Sequence, residues 1–418
     1  MKNRTMVTVF LAFFIAIPNV SRADDWPQFH GIKRDAKSAE TGLLKSWPEG
    51  GPKLLVTISD LGLGYSAPSV VGGKIYVTAE IGSDLILFCF DMNGTKLWEI
   101  KHGPAFTGQH PGARSAPTIE GNRLYLFSGV GLLAAYDLDT RQKIWEVDTV
   151  KEFGGRVPTW AYAESVLIDG NNVICTPGGP EAFMVALNKN THETVWKAKT
   201  DNPEESASYS SPCLFEWGGV RQISVLTNYS MVGVAADDGR FLWRYDRPSN
   251  TAYGGINPST PLFVDGVIFA ASGYGRGGGA AKLIAKDGRF EVQQVWETTE
   301  MKAQHGGYVY VDGYIYGNND AAGWTCIKLD TGDIAYQAKG VGKGSITYAD
   351  GMLYTLSENG KMGLVPATPK EHKVVSEFMI PNAGPESWPH PVISDGKLFL
   401  RHHDKLFIYD IKEPAKTK

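Results

Sequence analysis

The sequence predicts an all-β protein, an eight-bladed β-propeller of four-stranded antiparallel blades. Three observations predict it: a strand–turn–strand unit that recurs along the chain, a second turn in each unit leading into an aromatic strand, and the absence of any helical period. The first unit reads Ser69-Val70-Val71-Gly72-Gly73-Lys74-Ile75-Tyr76-Val77, and it returns around Gly121, Gly170, Gly219, Gly266, Gly313, Gly351 and Gly396, at spacings of 38 to 49 residues. The second turn, of Asn-Gly, Asp-Gly or Asp-Thr type, leads from Asn93-Gly94 to Trp98, from Asp139-Thr140 to Trp145, from Asp238-Gly239 to Trp243 and from Asp287-Gly288 to Trp296; Thr331-Gly332 leads to Tyr336 instead. Such turns need positive φ, which glycine adopts without steric cost. A sheet this small cannot bury both faces alone, so radial packing against its neighbours is the expected solution.

Each element follows from this frame. The eighth unit, from His390 to Lys412, supplies only three strands, and Lys53–Ile58 sits where an outer strand of the repeat belongs. The N-terminal strand is therefore expected to complete blade eight and close the ring. Residues 24–52 are read as a wrapping segment, 53–412 as the propeller and 413–418 as a disordered tail. With 48 glycines, 23 prolines, 43% hydrophobic and 21% charged residues and a net charge of −4, the chain is neither disordered, collagen-like nor a polybasic nucleic-acid binder.

Lys2 and Arg4 precede an apolar run from Met6 to Pro18, and Ser21-Arg22-Ala23 supplies small residues for cleavage, which reads as a secretory signal peptide over residues 1–23. The run is too short to span a bilayer and no lipid-acceptor cysteine follows it, so a monomeric periplasmic or extracellular protein without a transmembrane segment is expected. Cys89, Cys175, Cys213 and Cys326 show no metal or redox spacing and read as free thiols, with Cys175 and Cys213 the only tempting disulfide partners.

Ser66-Ala67-Pro68, Ser115-Ala116-Pro117, Ser259-Thr260-Pro261 and Ala135-Tyr136-Asp137-Leu138-Asp139-Thr140 resemble pyrroloquinoline-quinone (PQQ) type propeller repeats over roughly residues 53–412. Trp26-Pro27-Gln28-Phe29-His30-Gly31 and Ser387-Trp388-Pro389-His390-Pro391 are similar to the secreted bacterial branch of PQQ-binding-like repeat proteins. The resemblance implies one of two roles. Quinoprotein alcohol dehydrogenases stack PQQ between a Trp and a disulfide of adjacent cysteines and hold Ca²⁺ with Glu, Asn and Asp. BamB-like outer-membrane assembly factors are scaffolds without a cofactor. This sequence has no adjacent cysteines, and no Ca²⁺ ligand maps onto a matching motif, so no catalytic or metal residue is assigned. The leading expectation is a non-catalytic binding or scaffold protein; the alternative is a dehydrogenase of alcohols or sugars using PQQ with Ca²⁺ at an atypical site.

Residues that precede each inner strand should ring one mouth of the channel: Tyr65, Arg114, Trp160, Tyr162, Tyr209, Asn257, His305, Lys343, Trp388 and His390. Loops between second and third strands should add Glu80, Glu181, Tyr229, Arg276, Asp320, Glu358 and His403 to the same face. This mixture suits a protein partner, a polar small molecule or a sugar, and no nucleic acid. Gly273-Tyr274-Gly275-Arg276-Gly277-Gly278 fits a dinucleotide fingerprint in letters but lies inside a meander with no helix after it.

Overall fold

The computed structural model describes residues 25–246, 248–249, 255–320 and 323–414; the expected signal peptide and residues 415–418 lie outside them. The described strands form eight sheets around an axis, each a meander of four antiparallel strands. In blade one, for example, Ser69–Val71, Lys74–Ile81, Asp84–Asp91 and Lys96–Pro104 run from the axis outwards. The inner strands of the next seven blades are Thr118–Glu120, Leu167–Asp169, Cys213–Trp217, Leu262–Val264, Tyr308–Val311, Gly344–Ala349 and Val392–Ser394. Blade eight is closed by the N-terminal strand: Lys53–Ile58 pairs antiparallel with Lys405–Asp410.

One packing rule repeats through the blades. The outer-strand aromatic lies opposite a small residue: Trp98 faces Cys89, Trp145 faces Ala135, Trp196 faces Ala186, Trp243 faces Gly233, Trp296 faces Ala280 and Tyr336 faces Cys326. A β-bulge sits beside the aromatic in each of these blades, adding local twist where the indole lies down. In blade eight the sizes are exchanged, with Val56 opposite Ile408. Several indoles also lock neighbouring blades together, Trp145 donating to the Lys189 carbonyl, Trp196 to that of Ala236 and Trp296 to that of Leu329. All four cysteines are free, so the Cys175–Cys213 bridge does not form; Cys89 and Cys326 are the small partners of an aromatic.

Two features depart from the sequence expectation. A short helix, Thr149–Phe153, follows blade two, capped by the Asp148 carboxylate at one end and by left-handed Gly154 at the other. Blade seven gains a fifth strand, Lys37–Ser38, which pairs in parallel with Tyr348–Ala349 of its inner strand.

That added strand is part of a hairpin that enters the channel. The Trp26 amide and carbonyl pair with Val70 of blade one, and the Pro27 carbonyl accepts from the Ile119 amide of blade two. Arg34 donates to the Ser165 and Val166 carbonyls of blade three at 2.6 and 2.9 Å. The chain reverses through left-handed His30, Gly31, Arg34 and Ala36 and returns beside blade seven. Residues 26–38 thus plug the channel from the face of the Asp25–Gly72 contact, and their tip becomes the floor of the opposite mouth.

Candidate functional site

At the mouth formed by the crossovers between blades lies a cleft of about 310 Å³, near the lower end for small-molecule sites. Of the ten mouth residues expected from sequence, Tyr65, Arg114, Trp160, Tyr209, His305, Trp388 and His390 line it. Their common placement follows from the repeat, because each lies in the segment that delivers the chain from one blade to the next inner strand.

The other three are placed elsewhere. Tyr162 is fully buried against Phe127, with its hydroxyl donating to the Pro177 carbonyl at 2.7 Å, so it belongs to the packing between blades two and three. Asn257 is also buried; its amide donates to the Thr227 carbonyl and its carbonyl accepts from Ser272. Lys343 stands behind the cleft wall, bonded to Gln304 and 3.2 Å from Glu358. Among the second set, Glu80 is buried and accepts from the Phe106 amide, whereas Glu181 is exposed and paired with Lys199. The glycine-rich loop passes straight into the strand Gly277–Lys286 and presents Tyr274 to the cleft.

The walls are two aromatic pairs. Trp388 lies 4.8 Å from Tyr65 between ring centroids, and Trp160 lies 5.9 Å from Tyr209. His110 also packs on Trp388 and shares Glu386 with the Tyr65 hydroxyl, both at 3.1 Å. Burial and then the Glu386 charge push the Tyr65 hydroxyl up to about 12, so it remains a neutral donor. Arg114 stands over the Tyr65 ring at 5.1 Å, its two terminal nitrogens donating to the Gly112 and His110 carbonyls at 2.7 and 2.6 Å. These bonds fix the guanidinium plane while using only two of its five N–H groups.

The floor is a chain of neutral imidazoles. His390 Nε2 donates to the His305 carbonyl at 3.0 Å, which leaves His390 Nδ1 to accept from His30 Nε2 at 3.2 Å. Burial holds His390 down at about 4 and lowers His30 well below the usual imidazole value, with each other's proximity adding to the effect on His30. His305 is likewise depressed by burial, by Lys343 and by His390. Its Nδ1 is 3.7 Å from Glu358 Oε1, while its Nε2 is buried in the cleft wall without a hydrogen-bond partner among the described residues. Phe29, from the channel hairpin, stacks on His30 at 3.8 Å and completes the floor. Sequence reasoning missed Phe29, His110, Tyr274 and Gln304. Phe29 arrives with the channel hairpin, His110 and Gln304 with the crossovers, and Tyr274 with the glycine-rich loop between the second and third strands of blade five.

The imidazoles are weak proton acceptors, and Glu358 and Glu386 are both engaged with neighbouring donors. Among the described residues no group of three His, Cys, Asp or Glu side chains converges on a common point. None of the free cysteines lines the cleft, so no disulfide can form a stacking wall there.

A family model described as outer membrane protein assembly factor BamB matches residues 83–338. The quinoprotein alcohol dehydrogenase PedH of Pseudomonas putida is 27% identical over 171 residues, 40% of this chain and a quarter of the length of that relative. Among solved structures, BamB from Moraxella catarrhalis superposes with a TM-score of 0.61 at 14% identity, over 87% of this chain and 99% of that one. The quinohemoprotein alcohol dehydrogenase ADHIIG from Pseudomonas putida HK5 gives 0.66 at 13% identity, over 95% and 81%. At these identities the superpositions establish the shared fold.

Proposed function

The chain belongs to the family described as outer membrane protein assembly factor BamB, and from that premise we propose that it is a non-catalytic periplasmic or extracellular binding protein that works through its crossover face. The observation that carries this reading is the cleft itself. Aromatic rings from two separate arcs of the ring line one open cleft, and the acids around it are already engaged. Such a surface supplies pre-ordered apolar area and oriented donors, the ingredients of a recognition hot spot. The signal peptide expected over residues 1–23 favours export, and no described helix is long and apolar enough to cross a membrane.

The test uses the purified protein. Addition of PQQ and Ca²⁺ is expected to give neither a bound-quinone spectrum nor dye-linked alcohol oxidation, while an envelope or secreted fraction passed over the immobilised protein is expected to leave a partner that Trp160→Ala and Trp388→Ala release. A saturable quinone signal lost on Arg114→Ala, accompanied by alcohol oxidation, overturns the reading in favour of a dehydrogenase.

A further inference from the structure

Two cavities lie end to end along the channel. Ser211, Pro258 and His305 border the cleft at the crossover mouth, and Cys213, Thr260 and Gly307, two residues further along the same three segments, border a second cavity of about 100 Å³ below it. A two-residue step of extended chain is roughly 7 Å, so a single layer of side chains divides the two. His30 of the channel hairpin borders the lower cavity, and its Nε2 meets Nδ1 of His390, which borders the upper one. The tip that carries His30 reverses through three non-glycine residues in left-handed conformations, His30, Arg34 and Ala36. Its docked shape is therefore held by contacts with the channel wall and not by its own backbone preference.

The contact between the two rings tolerates one protonation state. His390 Nε2 donates to the His305 carbonyl, so Nδ1 is the acceptor and His30 the donor. A proton added to His390 sets two N–H groups against each other at 3.2 Å, and one added to His30 buries a charge. Neither ring has a carboxylate partner among the described residues, and the charged groups around the pair are cationic or occupied. On the hairpin these are Lys33, Arg34 and Asp35, the last paired with Lys37. Glu358 of blade seven is shared by Lys343 at 3.2 Å and the Trp388 indole at 3.3 Å, and faces His305 at 3.7 Å. Glu164 of blade three acts on Arg34, and burial pushes its carboxyl up to about 8. Cys213 of blade four is a neutral thiol, and the Tyr308 hydroxyl of blade six donates to the Thr260 carbonyl. Burial, then His390 and Arg34, lowers His30 well below the ordinary 6.5, and burial holds His390 at about 4. An imidazole released into water returns toward 6.5. The docked hairpin thus excludes protons that the released one takes up, so docking is fully present above about 6.5 and is lost as pH falls through about 4.

We propose that the His30–His390 contact is an acid-released latch: protonation of the pair frees the hairpin tip, withdraws Phe29 and His30 from beneath the cleft and joins the two cavities into one passage. Release removes the floor of the binding surface, and the latch operates in the free protein whether or not the cleft is occupied.

Hydrogen exchange on the whole protein between pH 6.5 and 4.5, corrected for the intrinsic amide rate, follows docking through the amides that the hairpin holds. These are Val70 and Ile119, which donate to the Trp26 and Pro27 carbonyls, and Tyr348, which donates to that of Ala36. One imidazole that titrates near 6.5 only when released weakens docking about fifty-fold over this interval. A fall in protection of that size or larger is expected at these three amides, against less than five-fold at Leu124 and Ile174 in second strands. The double variant His30→Gln with His390→Gln, which takes up no proton, is expected to lose less than five-fold at the hairpin-held amides. If circular dichroism at pH 7 shows that variant unfolded, His30→Phe, which keeps a ring beside Phe29, is expected to hold the fall below ten-fold. The thiols give an independent readout. Relative to free cysteine at the same pH, Cys213 is expected to react with 4,4′-dithiodipyridine at least ten-fold faster at pH 4.5 than at pH 6.5, while buried Cys89, Cys175 and Cys326 stay protected. Unchanged hairpin protection, equal loss at the hairpin and the second strands, a fall in the variants as large as in the natural protein, or no acceleration at Cys213 overturns the proposal.

Discussion

Glu164 shows what single-residue burial does in this molecule. Its carboxyl is fully enclosed, accepts one bond from the Thr176 amide, and is pushed up to about 8 by burial, against smaller opposing effects from Thr176 and Arg34. Between about 4.5 and 8 the folded state therefore holds a proton that the unfolded chain has released. The stability tied to this proton is fully present below the unfolded carboxyl range and is lost as pH rises through about 8. Glu164→Gln is expected to flatten this part of the stability–pH profile, measured by chemical denaturation at successive pH values. Arg401 is a second buried residue with a structural task. It is 1% exposed and donates to the Ser66 and Thr78 carbonyls at 3.1 and 2.7 Å, joining blade eight to blade one. Arg401→Met leaves these acceptors unmet, with an expected loss of about 1–3 kcal/mol in denaturant titration.

At the scale of the element, the pairing of each aromatic with a small residue makes the outer strands sensitive to volume. A Cβ on Gly233 would lie 2.1 Å from the Trp243 ring, so Gly233→Val is expected to destabilise blade four by about 1–3 kcal/mol, lowering the melting temperature. Pairing it with Trp243→Leu is expected to recover part of that loss, the non-additivity of two residues in contact. The closing strand gives a stronger test. Lys53–Ile58 covers the edge of Lys405–Asp410, and its deletion is expected to abolish the single cooperative melting transition; an unchanged curve contradicts closure as the source of cooperativity. These elements were legible in sequence because their causes are local: a glycine that permits a turn, alternation that sets a strand, and a missing fourth strand that implies one supplied from the other terminus.

The whole molecule is decided by the channel hairpin. Residues 26–38 touch inner strands on both sides of the axis and place Phe29 and His30 under the cleft. Removing residues 25–38 is expected to leave a β-rich protein by circular dichroism, with a lower melting temperature and no ligand binding at the cleft. The crossover rule located the mouth residues, but it assigned positions and not directions. Tyr162 and Asn257 stand at the expected level and turn into the protein, because their polar atoms find backbone and side-chain partners there. Lys343 is drawn behind the wall by Gln304 and Glu358.

By itself the sequence determined the architecture and the closing strand, since a repeat of hairpins too small to bury their own faces has to pack side by side and seal its edges. Only the tertiary structure decided what floors the mouth and which of the expected residues turn into it. The hairpin that floors it and the histidines that meet there are joined by contacts spanning up to 360 residues of chain, such as that between His30 and His390, and no local pattern of turns or strands encodes where such distant segments come together.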